Sequence, residues 1–547
     1  MFKKQNREVN LVSLKEVLFS FPTPEHPFYH VKAFIDLEIS KLWRIERAFV
    51  KNVETRDFFV YNDGRLALDN VARSDAEAAA VVKADWENGS TNQLRMEGVI
   101  EEGVKAAVEK RYTAPAEGGY WNRAWRYYAS FVLTETRGLP RESEPVHAAL
   151  AVYSDRIDDP VREVRVVSVD PRNGALREVI SQVYAVSNWS GRSDERLQPT
   201  TAFDVAFLAD VPANSSKVYL IFYGNRNAPE PQYESDLSVS GSGLGLTVEN
   251  SFYKIRLQET SGSVDEVHMK MGVNKTFDHH LETNGAVHWN PDVYAPPRQW
   301  MHASDWSPPA SCTMIQGPVF LMTTRSGPLP QYPEVNVSVT YVFYAKNPYV
   351  MILTSLEVSR DIYVQALRNA EFVFNHNVFK EFAWKKPNGG IGSIVVVEGA
   401  RHPKHAVEIE ADTPWAALYN VDYACGFGVS YLEFSQMNRS GGLVKAEVPY
   451  IYLAWGPWIY FARPLSYTFG SSNPQRMVKI PNGSLYYEKM AFQPFNLLSS
   501  CEDRFELIEK QDEKLRNSLD IIMWMDIDER VPREWVPPIL VAEFKEV

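Results

Sequence analysis

Along the first hundred residues, apolar and charged positions mix without a clean period. Residues 37–49 (LEISKLWRIERAF) show no sustained alternation. Residues 74–86 (SDAEAAAVVKADW) space their apolar positions at helical intervals behind Ser74 or Asp75, a start signal. The spacing predicts a helix there and a second short helix over 99–111. Beyond this the pattern changes. Residues 127–134, 146–153, 161–169, 176–186 and 217–223 are short β-branched or aromatic runs, separated by turn residues such as Asp170-Pro171-Arg172-Asn173-Gly174. Short strands punctuated in this way predict a β-sandwich. Residues 224–246 are rich in Gly, Pro, Ser and Asn and read as a linker. Strands then resume over 252–257, 334–344, 350–358, 370–374, 394–398, 416–419, 426–434 and 448–454. Residues 502–519, charged with spaced apolar positions, read as a late helix. The expectation is a mostly β chain of two domains: a β-sandwich-like domain with a few helices over 1–235, and a larger β domain with a C-terminal helix over 245–547.

Composition narrows the function. A chain of 547 residues exceeds what one core usually supports. The formal net charge of −12 sets the surface against phosphate backbones, so nucleic acid is not an expected partner. No run of about 18 apolar residues is present, so no membrane partner is expected either. The N-terminus lacks the uninterrupted apolar core of a secretory signal. The expected location is therefore cytoplasmic for the chain as it stands, or secreted or periplasmic if a signal has been removed. Three widely spaced cysteines form no disulfide framework and no CxxC site. The 14 Trp, 27 Tyr and 28 Phe suit strand packing, and they suit sugar binding equally, because a flat apolar ring matches the C–H face of a pyranose.

The stretch 249–270 carries a more particular pattern: Asn250, then Tyr253 and Ile255 on a strand, a turn at Ser261-Gly262, and Val264 and Val267 running out to Lys270. It resembles the opening of a galactose-mutarotase-like β-supersandwich domain. Rhamnogalacturonan lyases, other polysaccharide lyases, aldose epimerases and the late domains of some glycosidases share that architecture. The resemblance implies a large antiparallel supersandwich after residue 245 and a carbohydrate-active protein with an oligo- or polysaccharide substrate. It does not fix the reaction.

Three constellations carry candidate chemistry. Residues 286–309 (AVHWNPDVYAPPRQWMHASDWSPP) hold five prolines, which exclude helix and interior-strand conformations, so the segment is expected to form ordered loops. It gathers His288, Trp289, Asn290, Asp292, Tyr294, Arg298, Trp300, His302, Asp305 and Trp306, and five of the eleven histidines lie between His268 and His302. His288 or His302 could act as base or acid, with Tyr294 as a second acid. Arg298 could grip a carboxylate. Asp292 and Asp305 with His288 and His302 could hold a divalent cation, the one cofactor to weigh. The same histidines could instead satisfy loop carbonyls. In residues 366–374 (ALRNAEFVF), charged groups interrupt an apolar run. Alternation places Asn369 and Glu371 on one face and Arg368 on the other, with Glu371 a candidate catalytic carboxylate and Arg368 and Asn369 candidate sugar ligands. In residues 450–463, Ile451, Leu453 and Trp455 share one face of a strand and Tyr450, Tyr452 and Ala454 the other. Trp455 and Trp458 could line a cleft or pack between sheets.

These inventories support three functions. The first is a lyase cleaving a uronic-acid-containing glycan by β-elimination: Arg298 or Arg368 would neutralise the uronate, His288 or His302 remove the proton and Tyr294 protonate the leaving oxygen. The second is a glycoside hydrolase that pairs Glu371 with Asp305 or Asp292. The third is a carbohydrate-binding protein without turnover.

Overall fold

The computed structural model describes strands between residues 15 and 109 and, from there on, residues 122–524 with breaks at 123, 170–175, 191–197, 273, 279–285, 397–404, 441–449, 456–457, 469–475 and 501–503. Within these residues the chain is built almost wholly of antiparallel sheets, as the run of short strands leads one to expect. Two of the expected helices are not formed. Ala78–Ala84, inside the helical-looking 74–86, is a strand paired with Val31–Ile39 and Phe58–Asn62. Thr91–Ile100 and Ala106–Glu109 are strands where a helix over 99–111 was expected. Strand pairing, on both sides for Ala78–Ala84 and Thr91–Ile100 and on one side for Ala106–Glu109, overrides a weak local preference, and the β-branched Val81 and Val82 favour an extended chain. The late helix is present as Glu506–Arg516.

A first sandwich follows residue 122. Its five-stranded sheet contains Tyr127–Glu135, Arg165–Val169 and Ser215–Tyr223, and it receives the last described strand, Asp520–Trp524, against Tyr127–Glu135. Its three-stranded sheet joins Arg141–Tyr153, Thr200–Val211 and Ser181–Trp189. Phe131, Leu133, Val166 and Ile221 pack against Val146, Leu150, Phe203 and Val205 between the two. Just before the strand Tyr127–Glu135, Trp125 is buried and its Nε1 donates to the Glu163 carbonyl at 2.6 Å.

The expected linker over 224–246 is partly strand. Ser238–Ser242 pairs with Gly245–Glu249 and begins a five-stranded sheet that continues through Tyr253–Leu257 and Val264–Met269, the hairpin read from the sequence. The hairpin's polar residues anchor it. Asn250 accepts at Oδ1 from the Phe252 and Tyr253 amides and donates from Nδ2 to the carbonyls of Tyr344 and Asn347. Lys270 Nζ donates to the Asn250 carbonyl at 2.7 Å. Gly262, at φ +69°, makes the turn in the left-handed region, and a Cβ there would stand 2.7 Å from Arg325 Cδ.

Two larger sheets complete the fold. A nine-stranded sheet runs from Ser311–Gln316 to Ile391–Val395 with Tyr332–Tyr344, Val350–Val358 and Ser484–Asn496 in its middle. A six-stranded sheet contains Asp292–Tyr294, Met301–His302, Ala366–Phe374, Ile459–Tyr467 and Tyr450–Trp455. One core of Val, Leu, Ile and Phe side chains joins the five-, six- and nine-stranded sheets. The other face of the nine-stranded sheet meets the first sandwich through Ala206, Leu208, Phe320 and Tyr344. No helix among the described residues is long and apolar enough to cross a membrane.

Candidate functional site

The proline-rich segment is not loop throughout: between its prolines, Asp292–Tyr294 is an interior strand of the six-stranded sheet, paired on both sides, because these three residues, lying between Pro291 and Pro296, keep their backbone donors. It forms a three-residue strand, Asp292–Tyr294, a two-residue strand, Met301–His302, and a 3-10 turn, Ala303–Asp305. Asp292–Tyr294 runs antiparallel to Ala366–Phe374 with Asp292 opposite Arg368, and His288 bridges to Phe372. Parts of the first two candidate constellations are therefore neighbouring strands.

Strand alternation gave the wrong faces for the second segment. Asn369 pairs with Arg463 and Phe372 with Phe461, so three steps on one strand match two on the other, and Ala370 sits at φ +51°. This is a β-bulge, and the extra residue inverts the alternation. Arg368 and Glu371 consequently share one face, while Asn369 turns to the other. That reversal builds the site.

Arg368 is its centre. Its Nε and one terminal nitrogen donate to the two Asp292 oxygens at 3.1 and 2.6 Å, and its other terminal nitrogen donates to Glu371 Oε1 at 2.7 Å. All three side chains are buried. The Glu371 amide donates to Asn290 Oδ1 at 2.8 Å, which ties the bulge to the neighbouring segment. Burial, the largest influence, pushes the Glu371 carboxyl up to about 8; Arg368 opposes this and Asp292 adds to it. Burial also pulls the Arg368 guanidinium down, but the fields of Asp292 and Glu371 outweigh it and the net shift is upward.

His302 is buried beside this trio. Its Nδ1 is 3.0 Å from Asp305 Oδ2, its backbone amide donates to the same oxygen at 2.8 Å, and its Nε2 is 3.8 Å from Asp292 Oδ2. Asp305 is the most exposed of these carboxylates, at 22% of its side chain. Aromatic rings enclose the set. Trp289 lies 4.9 Å from the His302 ring, Trp300 lies 4.6 Å from the Arg368 guanidinium, and Tyr294 stacks on Trp300 at 5.1 Å with 7° between the planes.

Other residues singled out from the sequence are placed elsewhere. His288 faces the core, where its Nδ1 meets the Tyr341 hydroxyl at 2.7 Å, and burial lowers its imidazole to about 3. Arg298 pairs with Glu334 at 2.6 Å and stacks over Tyr332. Trp306 is buried and donates to the Pro328 carbonyl, and Trp455 is a core residue beside Ile451 and Leu453, as the alternation predicts. Trp458 packs partly buried against Trp289 and Tyr460. The side chains of Tyr450 and Tyr452 lie outside the described residues. Among the described residues, no group of three or more His, Cys, Asp or Glu is arranged to hold a metal. The set of Asp292, Asp305, His288 and His302 is divided: His288 points into the core and Asp292 is committed to Arg368.

Sequence reasoning missed a second buried cluster behind the same strand. Asn369 Nδ2 donates to Glu488 Oε2 at 2.9 Å and to Thr354 Oγ1 at 2.7 Å, and Arg463 Nε donates to Glu488 Oε1 at 2.6 Å. Burial raises the Glu488 carboxyl above its ordinary range. The available signal was the one that exposed Glu371, a carboxylate inside an apolar strand, here SLYYEKMAF.

No protein-family model matches the chain, and no curated protein sequence does. Solved structures show partial likenesses. A glycosyl hydrolase family 38 protein from Enterococcus faecalis aligns over 74% of this chain and 48% of its own, with 12% identity and a TM-score of 0.46. A galactose mutarotase-like protein from Lactobacillus casei aligns over 46% of this chain and 99% of its own, with 11% identity and a TM-score of 0.29. A family 36 α-galactosidase from Geobacillus stearothermophilus aligns over 48% and 40%, with 8% identity and a TM-score of 0.28. The chain spans about half the length of the Enterococcus protein. At these TM-scores none of the likenesses assigns a reaction.

Proposed function

We propose that the chain is a carbohydrate-active enzyme of hydrolytic type, in which the sheets after residue 238 form a mutarotase-like supersandwich that carries the chemistry, while the sandwich between residues 127 and 223 takes in the late strand Asp520–Trp524 and the strands between residues 15 and 109 form two sheets of their own. Glu371 is the proton-holding acid, Asp305 the carboxylate nearest solvent, and His302 the imidazole between them. The observation that carries this reading is the series of neighbouring charged groups from Asp305 through His302 (3.0 Å), Asp292 (3.8 Å) and Arg368 (2.6 Å) to Glu371 (2.7 Å), a fully buried carboxyl that burial pushes up to about 8. Glycoside cleavage needs an acid that is still protonated near neutrality and a second carboxylate beside it, and burial is the usual means of separating their roles. The sugar approaches from the side of Trp300, the partly exposed ring over Arg368.

Hydrolysis suits the geometry better than β-elimination, which requires a cation free to meet a uronate carboxylate. Arg298 is engaged by Glu334, and Arg368 by two carboxylates. Binding without turnover is the second reading. It draws on the mutual satisfaction of Arg368, Asp292 and Glu371, which leaves this trio stable with no substrate.

A panel of aryl glycosides and oligosaccharides, assayed for new reducing ends, tests the proposal. Wild type should release them, and Glu371→Gln and Asp305→Asn should each lose about 10²-fold or more. Full activity in both variants would remove the assignment. Affinity without release would favour the binding protein.

A further inference from the structure

We propose that Asn369 is a positioning residue: together with Thr354, Glu488 and Arg463 it clamps the bulge at Ala370 and so keeps Arg368 and Glu371 on one face of the strand Ala366–Phe374. This rests on that face being the acting site. In a regular strand, residues three apart point to opposite faces, so the Arg368–Glu371 pair exists only while the extra residue stays in place. Ala370 gains nothing by itself from φ +51°, a region that a side chain bearing a Cβ enters at a cost. The surrounding structure must hold it there.

Two holds are visible, one on each side of the strand. On the site side, Asn290 Oδ1 accepts the Glu371 amide at 2.8 Å. On the core side, Asn369 directs both protons of its amide to fixed acceptors on the nine-stranded sheet: Thr354 on Val350–Val358 and Glu488 on Ser484–Asn496. Glu488 is fixed in turn by Arg463, the cross-strand neighbour of Asn369 in the six-stranded sheet. The clamp therefore ties the residue just before the bulge to two sheets. All four side chains are buried, so water does not compete for these bonds. If the bulge relaxed into regular alternation, Asn369 would leave Glu488 and Glu371 would leave Arg368. The two buried clusters hold each other in register.

The test is a double-mutant cycle read from urea denaturation, which needs no sugar, so it stands or falls apart from the hydrolytic reading. The cycle combines Arg368→Met and Glu371→Leu, each of which removes the hydrogen bond between the two side chains whether or not Glu371 carries its proton. In the wild-type background the two substitutions should be strongly coupled. In an Asn369→Leu background, which keeps the shape and removes the donors, the coupling should fall towards zero. Adding Ala370→Gly to that background should restore it, because glycine takes the left-handed conformation unaided. Undiminished coupling in Asn369→Leu would overturn the proposal, and so would failure of Ala370→Gly to restore it. Should Asn369→Leu not fold, Thr354→Val removes one acceptor and should lower the coupling, and unchanged coupling there would count equally against the clamp.

Discussion

Arg368 holds the Asp292 carboxylate and the Glu371 carboxyl in a space that excludes water. Replacing it leaves Asp292 without its cation, and the penalty for an uncompensated buried charge exceeds what the pair contributes while intact. Arg368→Met should therefore destabilise the protein by about 3–5 kcal/mol in urea denaturation. A loss below about 1 kcal/mol would show that these groups are not buried together. The segments holding this cluster were legible in the sequence, because titratable groups crowd a proline-bounded stretch and interrupt an apolar run. Their partners were not. Asp292 and Arg368 lie 76 positions apart, and Arg298 finds Glu334 rather than a ligand. His288 and His302 are equivalent by composition, yet one meets Tyr341 in the core and the other reaches Asp305 near solvent. Only the path of the backbone separates them.

Among the elements, many strands were readable where β-branched and aromatic residues clustered, but Phe58–Asn62, Thr200–Val211 and Phe320–Leu329 went unread, and the run over 161–169 opens with the helix Pro160–Glu163 before its strand. The strand Val350–Val358 was placed with both ends correct, and the hairpin from Tyr253 to Met269 was found at its turn. Two failures have physical causes. The segment 74–86 has helical spacing but supplies a middle strand, because pairing on both sides outweighs propensity. The bulge at Ala370 has no signature in an alternating pattern, since alanine marks no left-handed position. The late helix illustrates an element whose fit can be tested directly. Ile508 on Glu506–Arg516 seats against Gly428 of the strand Cys425–Asn438, where a Cβ would stand 2.0 Å from Ile508 Cδ1. Gly428→Ala should cost about 1–3 kcal/mol of stability, and Ile508→Val in the same chain should recover part of it by removing that methyl. Additive losses in the double variant, measured by thermal melting, would mean that the helix does not rest there.

For the whole molecule, buried carboxyls give stability a pH dependence. Glu371 titrates near its ordinary 4.5 when unfolded and at about 8 when folded, so between these values the unfolded chain has released a proton that the folded chain keeps. Its contribution is complete below pH 4.5 and is lost progressively as pH rises towards 8. Glu488, also raised by burial, acts in the same direction. The melting temperature of wild type relative to Glu371→Gln should therefore fall across that window. A flat difference would mean that Glu371 is not buried as a neutral acid. The layered arrangement, with a first sandwich against the nine-stranded sheet and the six-stranded sheet beyond it, leaves the run from Asp305 to Glu371 on the side away from the first sandwich.

The most direct test of hydrolysis at this site is mass spectrometry of the products formed from a uronic-acid and neutral-sugar oligosaccharide panel in heavy-oxygen water. Hydrolysis places one solvent oxygen on each new reducing end, and the account predicts that label, with its loss in Glu371→Gln. Unsaturated products carrying no solvent oxygen would contradict it and establish β-elimination instead.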